Sequence, residues 1–263
     1  MTLSLPYWEK TNPALAKVNP ALASTFRVVS NNCLEALHAT GKPVVLVLIN
    51  GQPLTINWAD RNIPSILEAW FPGQLGGEAI AQTLFGDYNP GGRLSVTFPR
   101  SIGQIEFNFP FKPGSQDGQY FEGPNGSGRT RVNGALYPFG YGLSYTTFAY
   151  SNLSVKQETP YSQSPVTVTV DVTNTGKRAG DEVVQLYIRD KVSSVIAYES
   201  VLRGFERISL QPGETKTVSF VLLPEDLQIL DRHMEWTVEP GEFEVRIGAS
   251  SNDIKLKETF VVK

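Results

Sequence analysis

Residues 166–173 read Val-Thr-Val-Thr-Val-Asp-Val-Thr, with valine at every second position. A period of two sends alternate side chains to opposite faces of an extended strand. Such a strand is built to lie on an antiparallel sheet with one face buried and one face in water. The same alternation returns in Val184, Leu186 and Ile188, and again in Phe243, Val245 and Ile247. Asn174-Thr175-Gly176, Pro212-Gly213-Glu214 and Pro240-Gly241-Glu242 punctuate these runs with turn residues. Five to seven short strands in about 110 residues describe an immunoglobulin-like β-sandwich.

Upstream the period is different. Val44 to Ile49 is a continuous apolar run, the pattern of a central strand of a parallel sheet covered on both faces. Asn31 to Ala39 has helical spacing, with Gly41 placed to end the helix. Gln52 to Asn62 reads as a turn-rich crossing, and Ile63 to Trp70 as a second strand. The glycine-rich turn Pro72 to Gly77 leads into a helix over Glu78 to Phe85, and a short strand is expected at Arg93–Phe98. Strand, turn and helix in this order predict an α/β sandwich, a mostly parallel sheet with flanking helices. Gly114 to Gly134 is rich in glycine and polar residues and reads as a long exposed loop. The expected division is 1–33 as an atypical N-terminal segment with short helical turns, 34–148 as the α/β domain and 149–263 as the sandwich. The first segment holds the pentamer Asn-Pro-Ala-Leu-Ala twice, at Asn12–Ala16 and Asn19–Ala23, each a helix-start signal.

Composition removes several kinds of chemistry. A single cysteine, Cys33, leaves no internal disulfide and no multi-cysteine metal site. Two histidines, His38 and His233, argue against a histidine-rich metal centre and against a Ser-His-Asp triad. We therefore expect neither metal nor cofactor. A net charge of −3 does not suit a nucleic-acid binder. No apolar run approaches the ~20 residues that a membrane helix needs. Residues 1–25 lack the apolar stretch of a secretory signal, and the compartment stays open.

The remaining motifs carry two readings each. Gly73, Gly76 and Gly77 precede a helix, where backbone N–H groups can cradle phosphate. Their spacing fits neither the dinucleotide fingerprint nor the P-loop, so close packing of helix on strand is the reading taken over a nucleotide site. A glycosidase needs two carboxylates across the scissile bond. Glu68, Glu78, Asp87 and Glu122 are available, and the sequence singles out no pair. In the long loop, Tyr120, Phe121 and Arg129 are candidate sugar contacts, since rings stack on sugar faces and guanidinium groups bond hydroxyls.

Seven stretches together resemble the C-terminal part of glycoside hydrolase family 3. In the α/β half they are GKPVVLVLING (Gly41–Gly51), AWFPG (Ala69–Gly73), LFGDYNPGGRL (Leu84–Leu94) and YPFGYGLSY (Tyr137–Tyr145). In the sandwich they are NTG (Asn174–Gly176), GDEVVQLYI (Gly180–Ile188) and PGEF (Pro240–Phe243), which resemble that family's fibronectin type III-like domain. The resemblance implies a β-glucosidase- or β-xylosidase-like exo-glycosidase that hydrolyses β-linked glycosides with retention. It also implies an N-terminal barrel of roughly 300 residues or more, typical of such barrels, that bears the Asp nucleophile. The family's acid/base Glu precedes a Leu-Pro segment that Leu3-Ser4-Leu5-Pro6 resembles, which would put it upstream of Met1. No catalytic residue is therefore assigned within this chain, and the chain alone is expected to be inactive. The implied partners are a separate barrel domain or chain, or a second copy meeting an apolar face of the α/β half. The other reading is a non-catalytic sugar-binding or assembly module. Residues 7–30 and Leu75, where relatives carry Glu, depart from the family pattern.

Overall fold

The computed structural model describes residues 28–101, 104, 109–112, 134–161 and 164–263. The first half opens with helix α1 (Val28–Ala39), which begins one turn earlier than its sequence pattern suggests. Gly41, at φ +72°, ends it as expected, its N–H donating to the His38 carbonyl. Strand β1 (Val45–Leu48), helix α2 (Asn57–Asn62) and strand β2 (Ser65–Glu68) follow, with β1 and β2 parallel in the register Val45 to Ser65. Helix α3 (Gly76–Phe85) stops at Gly86, whose φ is +81°.

Two expectations need correction here. The crossing over Gln52–Asn62 contains α2, a helix of six residues with no side-chain cap. Burial of Ile56, Ala59 and Ile63 holds it rather than any local signal. The strand expected at Arg93–Phe98 shrinks to β3 (Phe98–Pro99), which pairs antiparallel with β4 (Ala135–Tyr137). Leu94 bonds instead to residues 140 and 141 without forming a ladder. Among the described residues the half has a parallel pair, β1 and β2, and a separate antiparallel pair, β3 and β4, both small sheets.

The second half is an all-β sandwich. Its strands are β5 (Phe148–Gln157), β6 (Val166–Asn174), β7 (Gly180–Asp190), β8 (Val201–Leu210) and β9 (Thr215–Leu222). A short helix α4 (Pro224–Leu227) and a hairpin of β10 (Ile229–Leu230) and β11 (Trp236–Thr237) lead to β12 (Gly241–Gly248) and β13 (Ile254–Val262). One sheet has the order β13-β12-β7-β8 and the other β5-β6-β9. Val166, Val168, Val170 and Val172 are fully buried against Val184, Leu186, Val245 and Ile247 of the facing sheet. The valine alternation thus builds the inner face it predicts.

A smaller core occupies the α/β half. Leu34 of α1, Leu48 of β1, Ala59 of α2, Phe98 and Leu136 close on one another, with Trp58 and Trp70 at the margin.

Candidate functional site

Polar residues gather where β1 and β2 end, the edge at which open α/β sheets hold ligands. Asn50 follows β1, and Glu68 is the last residue of β2. The Glu68 carboxylate accepts hydrogen bonds from Asn50 Nδ2 at 3.2 and 3.4 Å and from the Trp70 N–H at 3.0 Å. Asn50 Oδ1 in turn accepts the Gln52 N–H at 3.2 Å. Burial pushes the Glu68 carboxyl above its ordinary pKa, opposed by these same bonds. Trp70 sits at φ +49°, an uncommon conformation for a bulky residue, and the Glu68 bond to its N–H helps hold it there. A Cβ on Gly51 would come within 2.6 Å of the Phe71 ring, and one on Gly76 within 2.6 Å of Pro72. Of the turn's glycines only Gly76 is closely packed, against Pro72 of the same turn; Gly73, at φ +72°, and Gly77 have open space where a Cβ would stand, so close packing of helix on strand does not account for all three.

Beside this knot lies a cavity of about 490 Å³. All four residues of β2 line it, and because strand side chains alternate, the cavity meets β2 along its free edge. Tyr137, Tyr141 and Tyr145 form much of the opposite wall. The Tyr137 hydroxyl donates to Asp60 Oδ1 at 2.7 Å, and its ring stacks on Tyr141 at 5.2 Å. Burial, reinforced by Asp60, pushes the Tyr137 hydroxyl well above its ordinary pKa, so it stays a neutral donor. The Tyr145 hydroxyl donates to the Thr83 carbonyl at 2.8 Å. Asp60 and Glu68, the carboxylates in this wall, are both engaged by protein donors. Glycoside hydrolysis uses one carboxyl group as acid and another as nucleophile or base; here both carboxylates are already tied to neighbouring protein donors.

The stretches most characteristic of the sequence meet elsewhere, at the joint between the halves. Arg93 bonds Glu182 at 3.0 Å, and the two side chains are 8% and 4% exposed. Gln185 Nε2 donates to the Gly140 carbonyl at 3.1 Å and to the Ala249 carbonyl at 2.7 Å. A Cβ on Gly140 would lie 2.1 Å from Gln185 Oε1, and its φ is +79°, so both space and backbone call for glycine. Asn89 Nδ2 donates to the Ala179 carbonyl at 3.2 Å, while its Oδ1 accepts the Tyr145 N–H at 2.8 Å. Arg207 bridges Asp181 and the Tyr88 hydroxyl, the latter at 2.8 Å. Phe109 stacks on Phe139 at 4.8 Å and meets Tyr187 edge-on at 5.4 Å.

Of the residues nominated from sequence, Tyr120, Phe121, Arg129 and Glu122 lie outside the described residues. His38 packs edge-on against Trp58 at 5.7 Å, and the His233 N–H donates to Asp231 in a polar turn. Glu78 accepts a bond from Gln82 one turn on, and Asp87 is exposed. No group of three or more metal-ligating side chains occurs among the described residues. The sequence reading missed Asn50, Asn89, Arg93, Glu182 and Gln185. Arg93 and Glu182 had a signal, being charged residues within turn-rich or apolar motifs of opposite halves.

An α/β half is thus locked to a β-sandwich, and the stretches that resemble family 3 meet at their joint. Residues 23–145 match the glycosyl hydrolase family 3 C-terminal domain, and residues 182–251 match the fibronectin type III-like domain. The chain belongs to glycosyl hydrolase family 3 and carries its C-terminal part. It is 49% identical over 232 residues to a β-xylosidase of Formosa agariphila, covering 87% of this chain and 31% of that protein. It is 46% identical to the periplasmic β-glucosidase of Salmonella typhimurium, covering 84% of this chain and 29% of that one. Among solved structures, a β-glucosidase from Erythrobacter marinus superposes with a TM-score of 0.82 at 39% identity, over 91% of this chain and 31% of the other. A mutant β-glucosidase from Listeria innocua in complex with laminaribiose does so with 0.82 at 33% identity, over 89% and 32%. The chain thus spans about 30% of the length of the curated relatives it matches, by the 31% and 29% above.

Proposed function

We propose that this chain serves as the C-terminal portion of a β-glucosidase- or β-xylosidase-like exo-glycosidase, shaping and supporting a catalytic centre whose carboxylates lie on other polypeptide. The observation that carries this reading is close identity to such enzymes over nearly all of this chain and under a third of theirs. In the complete enzyme an Asp would attack the anomeric carbon and a Glu would protonate the leaving oxygen. Neither role falls to a residue of this chain.

The finer features follow from the same reading. The domain limits are 34–148 and 149–263 after an atypical segment 1–33, and two separate buried cores support the division. The complete α/β domain has a mostly parallel sheet, of which β1 and β2 are two strands. Leu75, Phe85 and Leu143, at 72, 84 and 70% exposed, support an apolar docking face for a barrel domain or a second copy. Tyr120, Phe121 and Arg129 are the sugar contacts proposed in the long loop.

The test is hydrolysis of nitrophenyl β-glucoside and β-xyloside. The isolated chain should release negligible nitrophenol, and a chimera in which it replaces the matched part of the Salmonella enzyme should regain turnover. Robust turnover by the isolated chain, abolished by a point change within it, would sink the proposal. In the active chimera, Phe121→Ala should weaken sugar binding measured by calorimetry.

A further inference from the structure

Phe71 is an exposed ring held in a set place. It stands three residues beyond the end of β2, at the carboxyl edge of the parallel pair, and is 64% exposed. On its N-terminal side the Ala69 N–H donates to the Leu48 carbonyl at 2.9 Å and the Trp70 N–H to the Glu68 carboxylate at 3.0 Å. Trp70 keeps its left-handed backbone while its ring lies against the core, 6.0 Å from Phe98. On the other side Pro72 closes on Gly76. The tip of the ring is placed as well. A Cβ at position 51 would meet Phe71 Cε2 at 2.6 Å and Cζ at 2.8 Å, so Gly51 leaves the room that the tip occupies.

A left-handed tryptophan costs stability, and here it turns an apolar ring toward water. Backbone strain of that kind gathers at ligand clamps, where the surroundings over-determine it. The place agrees, since open parallel sheets hold their ligands beyond the carboxyl ends of the strands. The neighbours set the class of ligand. No charged residue occurs from Pro43 to Ala59 or from Ala69 to Gly77, and the amides Asn50, Gln52 and Gln74 flank the ring in sequence. The one nearby carboxylate, Glu68, is engaged by Asn50 and Trp70. Uncharged amides beside an open aromatic ring suit a neutral, hydroxylated ring and offer nothing to a phosphate or an ammonium group.

We infer that Phe71 is a substrate-stacking residue, its ring meeting the apolar face of a neutral pyranose unit held beyond the ends of β1 and β2. This rests on the proposed function for the presence of a glycoside at that edge. The competing occupant is an apolar wall of the polypeptide that completes the enzyme. Side-chain shape separates the two. An aliphatic group of similar size fills a wall contact, whereas a sugar face is served by a flat ring.

The test titrates the Salmonella chimera by calorimetry with thiocellobiose, a sulfur-linked glucosyl disaccharide that resists cleavage. Phe71→Ala and Phe71→Leu should each weaken binding by roughly ten-fold, while Phe71→Tyr, which keeps the ring, should stay within about two-fold of the parent. Gly51→Ala, which pushes the ring aside without altering it, should weaken binding as Phe71→Leu does. In turnover of nitrophenyl β-glucoside, Phe71→Leu should raise KM and leave kcat little changed, because a stack made equally in ground and transition states is uniform binding. Full affinity in Phe71→Leu or Gly51→Ala overturns the inference, and so does a folded chimera that does not bind the disaccharide. A chimera that binds through Phe71 without turnover supports the inference and removes the functional reading; turnover with an affinity indifferent to Phe71 does the reverse. Should the chimera not fold, residues 65–77 alone are grafted into the Salmonella enzyme, and the Phe71 variants are read there with the same outcomes.

Discussion

The two halves of this molecule close cores of very different size among the described residues, seventeen buried apolar residues in the sandwich against eight in the α/β half. In the sandwich, facing sheets close over Val166, Val170, Leu186, Val245 and Ile247 until none is exposed. In the α/β half, Leu48 and Phe98 are buried while Phe71, Leu75, Phe85 and Leu143 stand in water. A β-sandwich supplies both of its own layers, whereas a parallel pair with helices is complete only when further strands and their helices arrive. Among the described residues the sandwich therefore has the larger closed core and the α/β half the smaller one.

The joint offers the strongest way to break that contrast. Removing one partner of a buried ion pair leaves the other charge unpaired. Glu182→Ala should therefore cost roughly 3–5 kcal/mol, read from chemical denaturation, and uncouple the unfolding of the two halves. If the halves still unfold together with unchanged midpoint, the Arg93–Glu182 bond is not what joins them. Leu186→Ala in the sandwich core should cost about 2–5 kcal/mol and lower the sandwich transition. An equal cost from truncating the exposed Leu143 would erase the distinction between the halves; Leu143→Ala should change stability by less than ~0.5 kcal/mol.

Acid should separate the halves more gently. Burial acts to raise the Asp181 carboxyl, but hydrogen bonds from Ser209 and Arg207 and the Arg207 charge outweigh it, and its pKa falls below the ordinary 3.8. Its contribution is present above that value and is lost as pH falls through the lowered one. Glu68 shifts the other way, above 4.5, through burial. It favours the folded state most when protonated, and its contribution declines as pH rises from the ordinary value through the raised one. Asp181→Asn should reduce the acid sensitivity of the joint, and Glu68→Gln should flatten the opposite slope in the α/β half. Melting curves between pH 3 and 6 would show both, and slopes of the same sign would contradict the assignment. The smallest effect belongs to Lys191–Glu242, a surface pair at 3.0 Å. Lys191→Ala should change stability by no more than ~0.5 kcal/mol, as exposed pairs do.

Much of the fold was legible because it rests on periodicity. Alternating valines placed β6, proline-glycine turns placed β9 and β12, and Gly41 placed the end of α1. The helix α2 was not legible, because six residues without a cap are held by burial that only the folded core provides. At the ends of β1 and β2, Glu68 was visible as one carboxylate among several. Its bonds to Asn50 and Trp70 were not, since they join residues brought together by strand pairing.

Strand β7 shows where sequence ends and tertiary structure begins. Its alternation predicts Val184, Leu186 and Ile188 inside and Gln185 and Tyr187 in water, and the first three do face the core. Gln185 and Tyr187 are nevertheless buried, at 3 and 0% exposed, because the α/β half lies over that face. Local pattern, a matter of strand geometry, is written in a few consecutive residues and so determined the strands, the turns and the family. Which polar residues would be taken from water depended on how one half lies on the other, and that is settled by residues 90 positions apart meeting across a joint, as Asn89 and Ala179 do.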